Sequence, residues 1–187
     1  MQRDSEAGPS VSVGDDQPAG SQPVETPVAE SSVIFRLEVQ MGPAHLTAVR
    51  RLVVELAQPI VGDSELAARL ALATHELLEN AVKYSADARR LITLQLLATA
   101  QRKISVTVIN VSNQALYESL KRKLDQLDAA TDPMQTYHRM ISHSMHQETG
   151  SGLGLARIYA EADMSLHCEL KDDRLFVRAE TEIGDTR

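Results

Sequence analysis

His75-Glu-Leu-Leu-Glu-Asn-Ala-Val-Lys-Tyr-Ser85 is the stretch around which the sequence is organised, and it ends a helical pattern that begins near Asp63. Side chains three and four residues apart are neighbours on a helix, so Glu76, Asn80 and Lys83 share one polar stripe. Apolar residues of the same helix lie directly beside that stripe, namely Leu66, Leu70, Leu77 and Ala81.

The residue types in this stripe suit a Mg²⁺–phosphate site. An Asn supplies an oxygen ligand for the metal, a Glu can act as a base, and a Lys provides a counter-charge for phosphate. The same spacing is also typical of an ordinary amphipathic helix whose boundary residues are polar. The stretch alone leaves both interpretations open.

Composition narrows the class of protein. A chain of 187 residues can bury a real core in one domain. Aromatic residues make up only 3%, and the net charge is −7, which disfavours stacking on nucleic acid or attraction to its phosphates. No apolar run is long enough to span a membrane, and the single Cys168 excludes an internal disulfide. We expect a cytoplasmic protein with neither nucleic-acid nor membrane partners.

The chain divides into a tail and one domain. Residues 1–31 are rich in Pro, Gly, Ser and Gln and carry one Arg against six acidic residues, a net charge of −5, which predicts a disordered tail. Residues 32–183 are predicted to form a two-layer α/β sandwich, a mixed sheet of about five strands with helices on one face. The predicted strands are 33–40, 91–98, 104–110, 164–170 and 174–181, with helices at 44–58, 64–85 and 153–163.

A long connection at 113–149 separates two sheet elements and has helical character at 115–129 and 133–145. This length favours a lid or a partner-binding surface over a simple turn. The basic cluster Lys121-Arg122-Lys123 lies within it. His138, His143 and His146 also lie there, and we interpret them as a solvated helix face because no Cys or acidic ligand joins them within a turn.

Gly150, Gly152 and Gly154 form a second informative stretch just before a predicted helix. Glycines at such a place let backbone N–H groups approach an anion. A flexible hinge would contain the same residues. No Gly-Lys-Ser/Thr follows, and no strand precedes, so neither a P-loop nor a dinucleotide fingerprint is indicated.

Together the two stretches resemble the N-box and the G2 box of the GHKL (histidine kinase-like) ATPases, the latter in Ser151-Gly-Leu-Gly-Leu155. The likeness spans about residues 33–182. It is nearest to the stand-alone anti-sigma-factor serine/threonine kinases of bacterial partner-switching systems, because Glu76 precedes Asn80 by four residues. The resemblance implies a Bergerat-type ATP-binding fold with ATP and Mg²⁺ as cofactors.

Roles for individual residues follow from the resemblance. It implies that Asn80 coordinates Mg²⁺, that Glu76 activates the hydroxyl to be phosphorylated, and that Lys83 contacts phosphate. The implied phosphate cradle is formed by Gly150, Gly152, Leu153 and Gly154.

The family's G1 box is degenerate in this chain. The family carries Asp-x-Gly-x-Gly after a strand, and its Asp accepts a bond from the adenine amino group. Here the strand ends Val108-Ile-Asn-Val-Ser-Asn113 without a glycine, and Asn110 stands at the position of the Asp. An amide oxygen can still accept that bond, but more weakly than a carboxylate.

The leading functional hypothesis is an ATP-dependent protein serine/threonine kinase that phosphorylates a small STAS-like antagonist. Its expected partners are that antagonist, a sigma factor, and a second copy of the chain. The first alternative is a non-catalytic module whose 113–149 helices capture a sigma factor or another regulator. The second is a histidine-kinase-like ATPase that acts in trans for another assembly.

Overall fold

The computed structural model describes residues 31–87, 91–144 and 152–184 of the chain. The tail predicted for 1–31 lies outside these residues except at its last position, as do His146 and Gly150. In chain order the elements are β1 (Ser31–Gln40), α1 (Pro43–Val61), α2 (Ser64–Tyr84), β2 (Leu91–Thr99), β3 (Lys103–Val111), α3 (Gln114–Asp128), α4 (Pro133–Ser144), α5 (Leu153–Arg157), a π-helical segment (Ile158–Ala162), β4 (Ser165–Lys171) and β5 (Arg174–Glu182).

The strands form one open sheet in the order β1-β2-β3-β5-β4. The predicted two-layer α/β sandwich with five strands is thereby confirmed. The prediction of a mixed sheet is wrong, since all four strand pairings are antiparallel. Strands β2–β3 and β4–β5 are joined by tight turns, which impose antiparallel pairing. Strand β4 runs in the direction of β3, but β5 lies between them.

One face of the sheet is apolar and packs under the helices. Its register places Leu94 opposite Val108, and Val108 in turn opposite Val177. These three side chains are at most 8% exposed and belong to one core with the buried faces of α1 and α2. At the far end of β3 the same inward-facing set reaches Asn110, paired with Ile92 and Leu175. A polar side chain therefore ends an otherwise apolar face.

Helix α1 extends further than the sequence predicts. We expected it to stop at Pro59, but it continues to Val61, and Gly62 then ends it with a left-handed φ of 66°. Proline costs a helix one hydrogen bond, which the last turn tolerates. Helix α2 begins where predicted, because the Asp63 side chain accepts a bond from the Glu65 amide at 2.8 Å and caps the helix.

The connection between β3 and α5 contains the two expected helices. Helix α3 starts at the cap of Asn113, whose side chain accepts from the Leu116 amide at 3.0 Å, and it buries Leu124 and Leu127. The predicted helix after the glycines is present but is α-helical only to Arg157, and the next five residues form a π-helical segment. None of the described helices is long and apolar enough to cross a membrane.

Candidate nucleotide site

A cavity opens between α2, the inner face of the sheet, α3 and the start of α5. Its polar groups come from three elements: Asn80 from α2, Asn110 from β3, and Ser119 and Lys123 from α3. The remaining lining is apolar apart from Tyr84 and Gly152, and consists of Leu77, Ala81, Val108, Leu116, Leu120, Leu155, Leu175 and Val177. A largely apolar cleft with a few convergent polar groups is the usual form of a small-molecule site.

The three side chains of the polar stripe on α2 differ in how deeply they are buried. Glu76 is only 8% exposed. Asn80 is half-buried and lines the cavity, and its Nδ2 atom is buried without a hydrogen-bond partner among the described residues. Lys83 is exposed, is not among the cavity-lining residues, and has its Nζ 5.4 Å from the centroid of the Tyr84 ring. Asn80 is therefore the stripe residue that faces the cavity directly.

Glu76 is paired with a residue 81 positions later in the chain. Arg157 Nη1 donates to Glu76 Oε1 at 3.0 Å, and Arg157 Nε donates to Glu161 Oε2 at 2.8 Å. Both carboxylates raise the pKa of Arg157, with the hydrogen bond to Glu161 as the largest cause. The α2 stripe is thus joined to α5 by a charged network.

The glycines let α5 come close to that carboxylate. A Cβ added at Gly154 would lie 2.5 Å from Glu76 Oε2, so no larger residue fits without moving the carboxylate. Gly152 lines the cavity in a left-handed conformation, with φ of 68°, that other residues rarely adopt. Leu153 between them is half-buried against the core. Gly150 lies outside the described residues.

Asn110 closes the other end of the cavity. It is 4% exposed, and its Nδ2 donates to the Val111 carbonyl at 3.1 Å. That bond directs the amide oxygen to serve as the acceptor for an incoming group. An acceptor on the floor of an apolar cleft can receive a bond from an exocyclic amino group such as that of adenine.

Helix α3 lines one side of the cavity, and helix α4 packs against α5 and the π-helical segment that follows the glycines. The Tyr159 hydroxyl donates a short hydrogen bond to Asp128 Oδ1 at the end of α3. Tyr137 of α4 is buried, and its pKa is raised by that burial first and by Glu161 second. The volume of the cavity is about 90 Å³, below the roughly 300–1,000 Å³ of most ligand pockets. The cavity in this structure is therefore smaller than a typical ligand site.

Sequence reasoning noted Lys123 only as part of the basic cluster Lys121-Arg122-Lys123 and did not single out Ser119 or Arg157. Ser119 and Lys123 lie on the same α3 face as Leu116 and Leu120, and this spacing was a usable signal for one cavity-facing surface. Arg157 gave no such signal, because its partner Glu76 is distant in sequence.

The side chains at this site can hold Mg²⁺ only if phosphate oxygens supply further ligands. Within the described ranges, no group of three or more His, Cys, Asp or Glu side chains is placed to hold a metal ion. Mg²⁺ in nucleotide sites keeps several waters and takes one or two protein ligands plus phosphate oxygens. Asn80 lines the cavity wall, and its Oδ1 is the atom that could supply such a ligand, whereas its buried, unpartnered Nδ2 is a donor suited to a phosphate oxygen.

The fold and the site define a class of protein. The family model described as histidine kinase-like ATPase domain matches residues 39–174, which include both informative stretches. The chain belongs to this family, and the resemblance inferred from the sequence is confirmed. Membership implies nucleotide binding.

Among solved structures, the crystal structure of the SiaB-SiaC complex from Pseudomonas aeruginosa contains a similar chain. The two share 14% sequence identity with a TM-score of 0.61, over 80% of this chain and 89% of that chain. At this identity the likeness shows a common fold. No curated protein matches the sequence.

Proposed function

We propose that this chain is an ATP- and Mg²⁺-dependent protein kinase that transfers the γ-phosphoryl group to a Ser or Thr hydroxyl of a small antagonist protein. The observation that carries the proposal is the position of Asn80, whose buried amide nitrogen has no partner among the described residues and which lines the cavity one helical turn from Glu76. A half-buried amide left unsatisfied is costly unless a ligand completes it.

The roles follow from chemistry and position. Asn80 would hold Mg²⁺, which when bound neutralises phosphate charge. Glu76 is the base for the acceptor hydroxyl. Asn110 at the cavity floor accepts from the base of the nucleotide. The residues of the glycine stretch, Gly150 to Gly154, cradle phosphate.

Two lysines can supply counter-charge to phosphate. Lys83 is exposed and flexible enough to swing toward an entering nucleotide, although it rests near Tyr84 in the structure. Lys123 on α3 already lines the cavity. Lys123 lies beside Gly152, since a Cβ added there would be 3.4 Å from Lys123 Cδ. This neighbourhood supports Lys123 as an additional phosphate contact.

The proposed kinase also has a proposed domain organisation, partner and cellular location. Residues 32–183 would act as one ATP-binding domain with a lid at 113–149, preceded by the acidic tail 1–31. The partner would be a STAS-like antagonist, a sigma factor, or both, with a second copy of the chain completing a homodimer in the cytoplasm. The exposed surfaces of α3 and α4 are available for such a partner.

A second candidate is a non-catalytic binding module. The observation in its favour is the pairing of Glu76 with Arg157 at 3.0 Å, since a carboxylate engaged in an ion pair is not free to accept a proton from a substrate. In this version α3 and α4 bind a regulator whether or not a nucleotide is present.

Nucleotide titration separates the two candidates. We expect ATP and ADP to bind the wild-type chain in a Mg²⁺-dependent way, measured by calorimetry. Asn80→Ala should lower the affinity about tenfold, as for loss of a polar contact to a charged ligand. Glu79→Ala is the matched control, because Glu79 is exposed on the same helix. If the wild-type chain binds no nucleotide at millimolar concentration, the kinase proposal is lost.

Phosphotransfer to candidate antagonist proteins then tests the base. Glu76→Gln keeps the size of the side chain and removes its basicity, so the transfer rate should fall about 10²–10⁴-fold. Nucleotide affinity should change little, because Glu76 is not among the cavity-lining residues. Transfer at an undiminished rate would remove Glu76 from the mechanism.

A further inference from the structure

The Glu76 carboxylate is held by an ion pair and packs closely against α5. Oε1 accepts from Arg157 Nη1 at 3.0 Å, and Oε2 lies so close to Gly154 that an added Cβ would approach it to 2.5 Å. Only 11% of the Glu76 side chain is exposed. A substrate hydroxyl needs hydrogen-bond reach of one of these oxygens, and the ion pair occupies Oε1 while close packing against Gly154 restricts access to Oε2.

We infer that Arg157 is a positioning residue that locks Glu76 in an inactive arrangement, and that movement of lid helix α4 releases the lock. This inference rests on the proposed role of Glu76 as the base. It assigns Arg157 a regulatory part in the same site.

The link to the lid runs through Glu161. Arg157 Nε donates to Glu161 Oε2 at 2.8 Å, so the guanidinium bridges two carboxylates. Helix α4 packs directly against α5 and the π-helical segment, which carry Arg157 and Glu161, and its Tyr137 is buried, 9% exposed. The segment that holds the guanidinium is therefore supported by the lid helix. When α4 withdraws, Arg157 loses that support.

Release of the lock is physically accessible. The Arg157 side chain is 40% exposed, whereas that of Glu76 is 11% exposed. The guanidinium can therefore rotate into water and stay hydrated, while the carboxylate keeps its place beside Gly154. Ion pairs with one exposed partner are weak enough for a competing anion or a lid movement to break them.

Carbodiimide labelling measures the lock without any substrate. A water-soluble carbodiimide with glycine amide converts accessible carboxylates to amides, and peptide mass spectrometry gives the labelling rate of Glu76 relative to the exposed Glu79 in the same full chain. Arg157→Gln should raise this ratio about fivefold, the factor expected for losing an ion pair of modest strength. Tyr137→Ala, which removes the buried side chain of α4, should raise it about twofold.

Two controls separate a lock from a general loss of structure. Arg157→Lys keeps the positive charge but loses the planar fork that bridges two carboxylates, so the ratio should lie between those of wild type and Arg157→Gln. Arg178→Gln removes an arginine from a different element, β5, where its side chain is 51% exposed, and should leave the ratio unchanged. No rise in Arg157→Gln, or an equal rise in Arg178→Gln, would overturn the inference.

Titration of Mg²⁺-ATP with the same variants distinguishes this inference from the proposed function. Arg157 is not among the cavity-lining residues, so Arg157→Gln should bind ATP within about twofold of wild type. If wild type binds no nucleotide but labelling follows the expected pattern, the kinase proposal fails and the lock stands. If nucleotide binds normally and labelling of Glu76 is insensitive to Arg157, the lock alone is wrong.

Discussion

Replacing Gly154 with alanine tests whether the close approach of α5 to Glu76 constrains the folded protein. The added Cβ would lie 2.5 Å from Glu76 Oε2 and 3.4 Å from Cδ. The carboxylate can rotate away only by giving up its 3.0 Å bond from Arg157 Nη1. The ion pair itself contributes only about 0.2–1 kcal/mol because the Arg157 side chain is 40% exposed. Leaving the largely buried carboxylate without its partner adds a cost of about 1–3 kcal/mol, while alanine in place of glycine in a helix gains about 0.5–1 kcal/mol. The free energy of unfolding should therefore fall by about 1–2 kcal/mol.

A second substitution reverses the sign of the effect. Glu76→Ala removes the carboxylate and leaves only a Cβ, which lies 3.5 Å from the added atom in ordinary contact. In that background Gly154→Ala should raise the free energy of unfolding by about 0.5–1 kcal/mol, because only helix propensity remains. The coupling energy between the two positions is then about 1.5–3 kcal/mol.

Urea denaturation followed by far-ultraviolet circular dichroism gives all four free energies of the cycle. Gly184→Ala is the control, since a Cβ added at Gly184 meets nothing within 4 Å. If Gly154→Ala stabilises the wild-type background as much as the Glu76→Ala background, then Glu76 does not pack against α5 and the geometry of the locked carboxylate is wrong.

Three further substitutions have expected outcomes that follow from single contacts. The Asn110 amide nitrogen donates to the Val111 carbonyl at 3.1 Å, and Asn110→Asp replaces that donor with a carboxylate oxygen. Without nucleotide its free energy of unfolding should fall by about 1–2 kcal/mol, while ATP should bind more tightly in calorimetry; unchanged stability would contradict the assigned bond. Arg69→Met removes a guanidinium whose Nε donates to the Ala162 carbonyl at 2.5 Å and so caps the helical segment. The expected loss is about 2 kcal/mol in urea denaturation, and a loss below about 0.5 kcal/mol would exclude a capping role. For Tyr159, burial first and the bond to an α3 carboxylate second raise the pKa in the folded state. The unfolded chain then loses this proton first, so the free energy of unfolding falls as pH rises above about 10. The fall should be shallower in Tyr159→Phe, and equal slopes would rule out this linkage.

The elements that sequence predicted correctly are those set by local rules. Helix α2 begins at the Asp63 cap because a side-chain oxygen there satisfies a free amide, and the pattern of apolar residues then fixes its buried face. The β4–β5 turn occurs at Asp172 and Asp173, both with positive φ, in keeping with the tolerance of Asp for that conformation. Both kinds of information lie within a few residues of the element they determine.

The local sequence does not determine which strands pair or which distant side chains come into contact. Alternation in a strand shows which face is buried but not the direction of its neighbour, so the antiparallel pairing of β3 with β5 could not be read from either segment. The end of α1 was misjudged because Pro59 lies only two residues before the last residue, Val61, where the helix continues despite the loss of one backbone hydrogen bond. Helical spacing placed Lys83 in the same stripe as Asn80 but did not show how deeply each side chain is buried, and Lys83 is exposed.

The residues that the sequence predicted are those proposed to carry out the chemistry, and the residues that it did not predict are those that restrain them. The groups proposed for metal and proton chemistry, Asn80 and Glu76, lie about one helical turn apart on α2, whereas the proposed phosphate contacts also include Lys123 and the glycine stretch. The groups that restrain them come from α5 and α4, and the Glu76–Arg157 bond spans 81 positions. A change at Tyr137 or Arg157 can therefore alter when the base is available without altering Asn80 or the cavity-lining residues. Physical separation of this kind allows regulation of the site to vary independently of nucleotide binding.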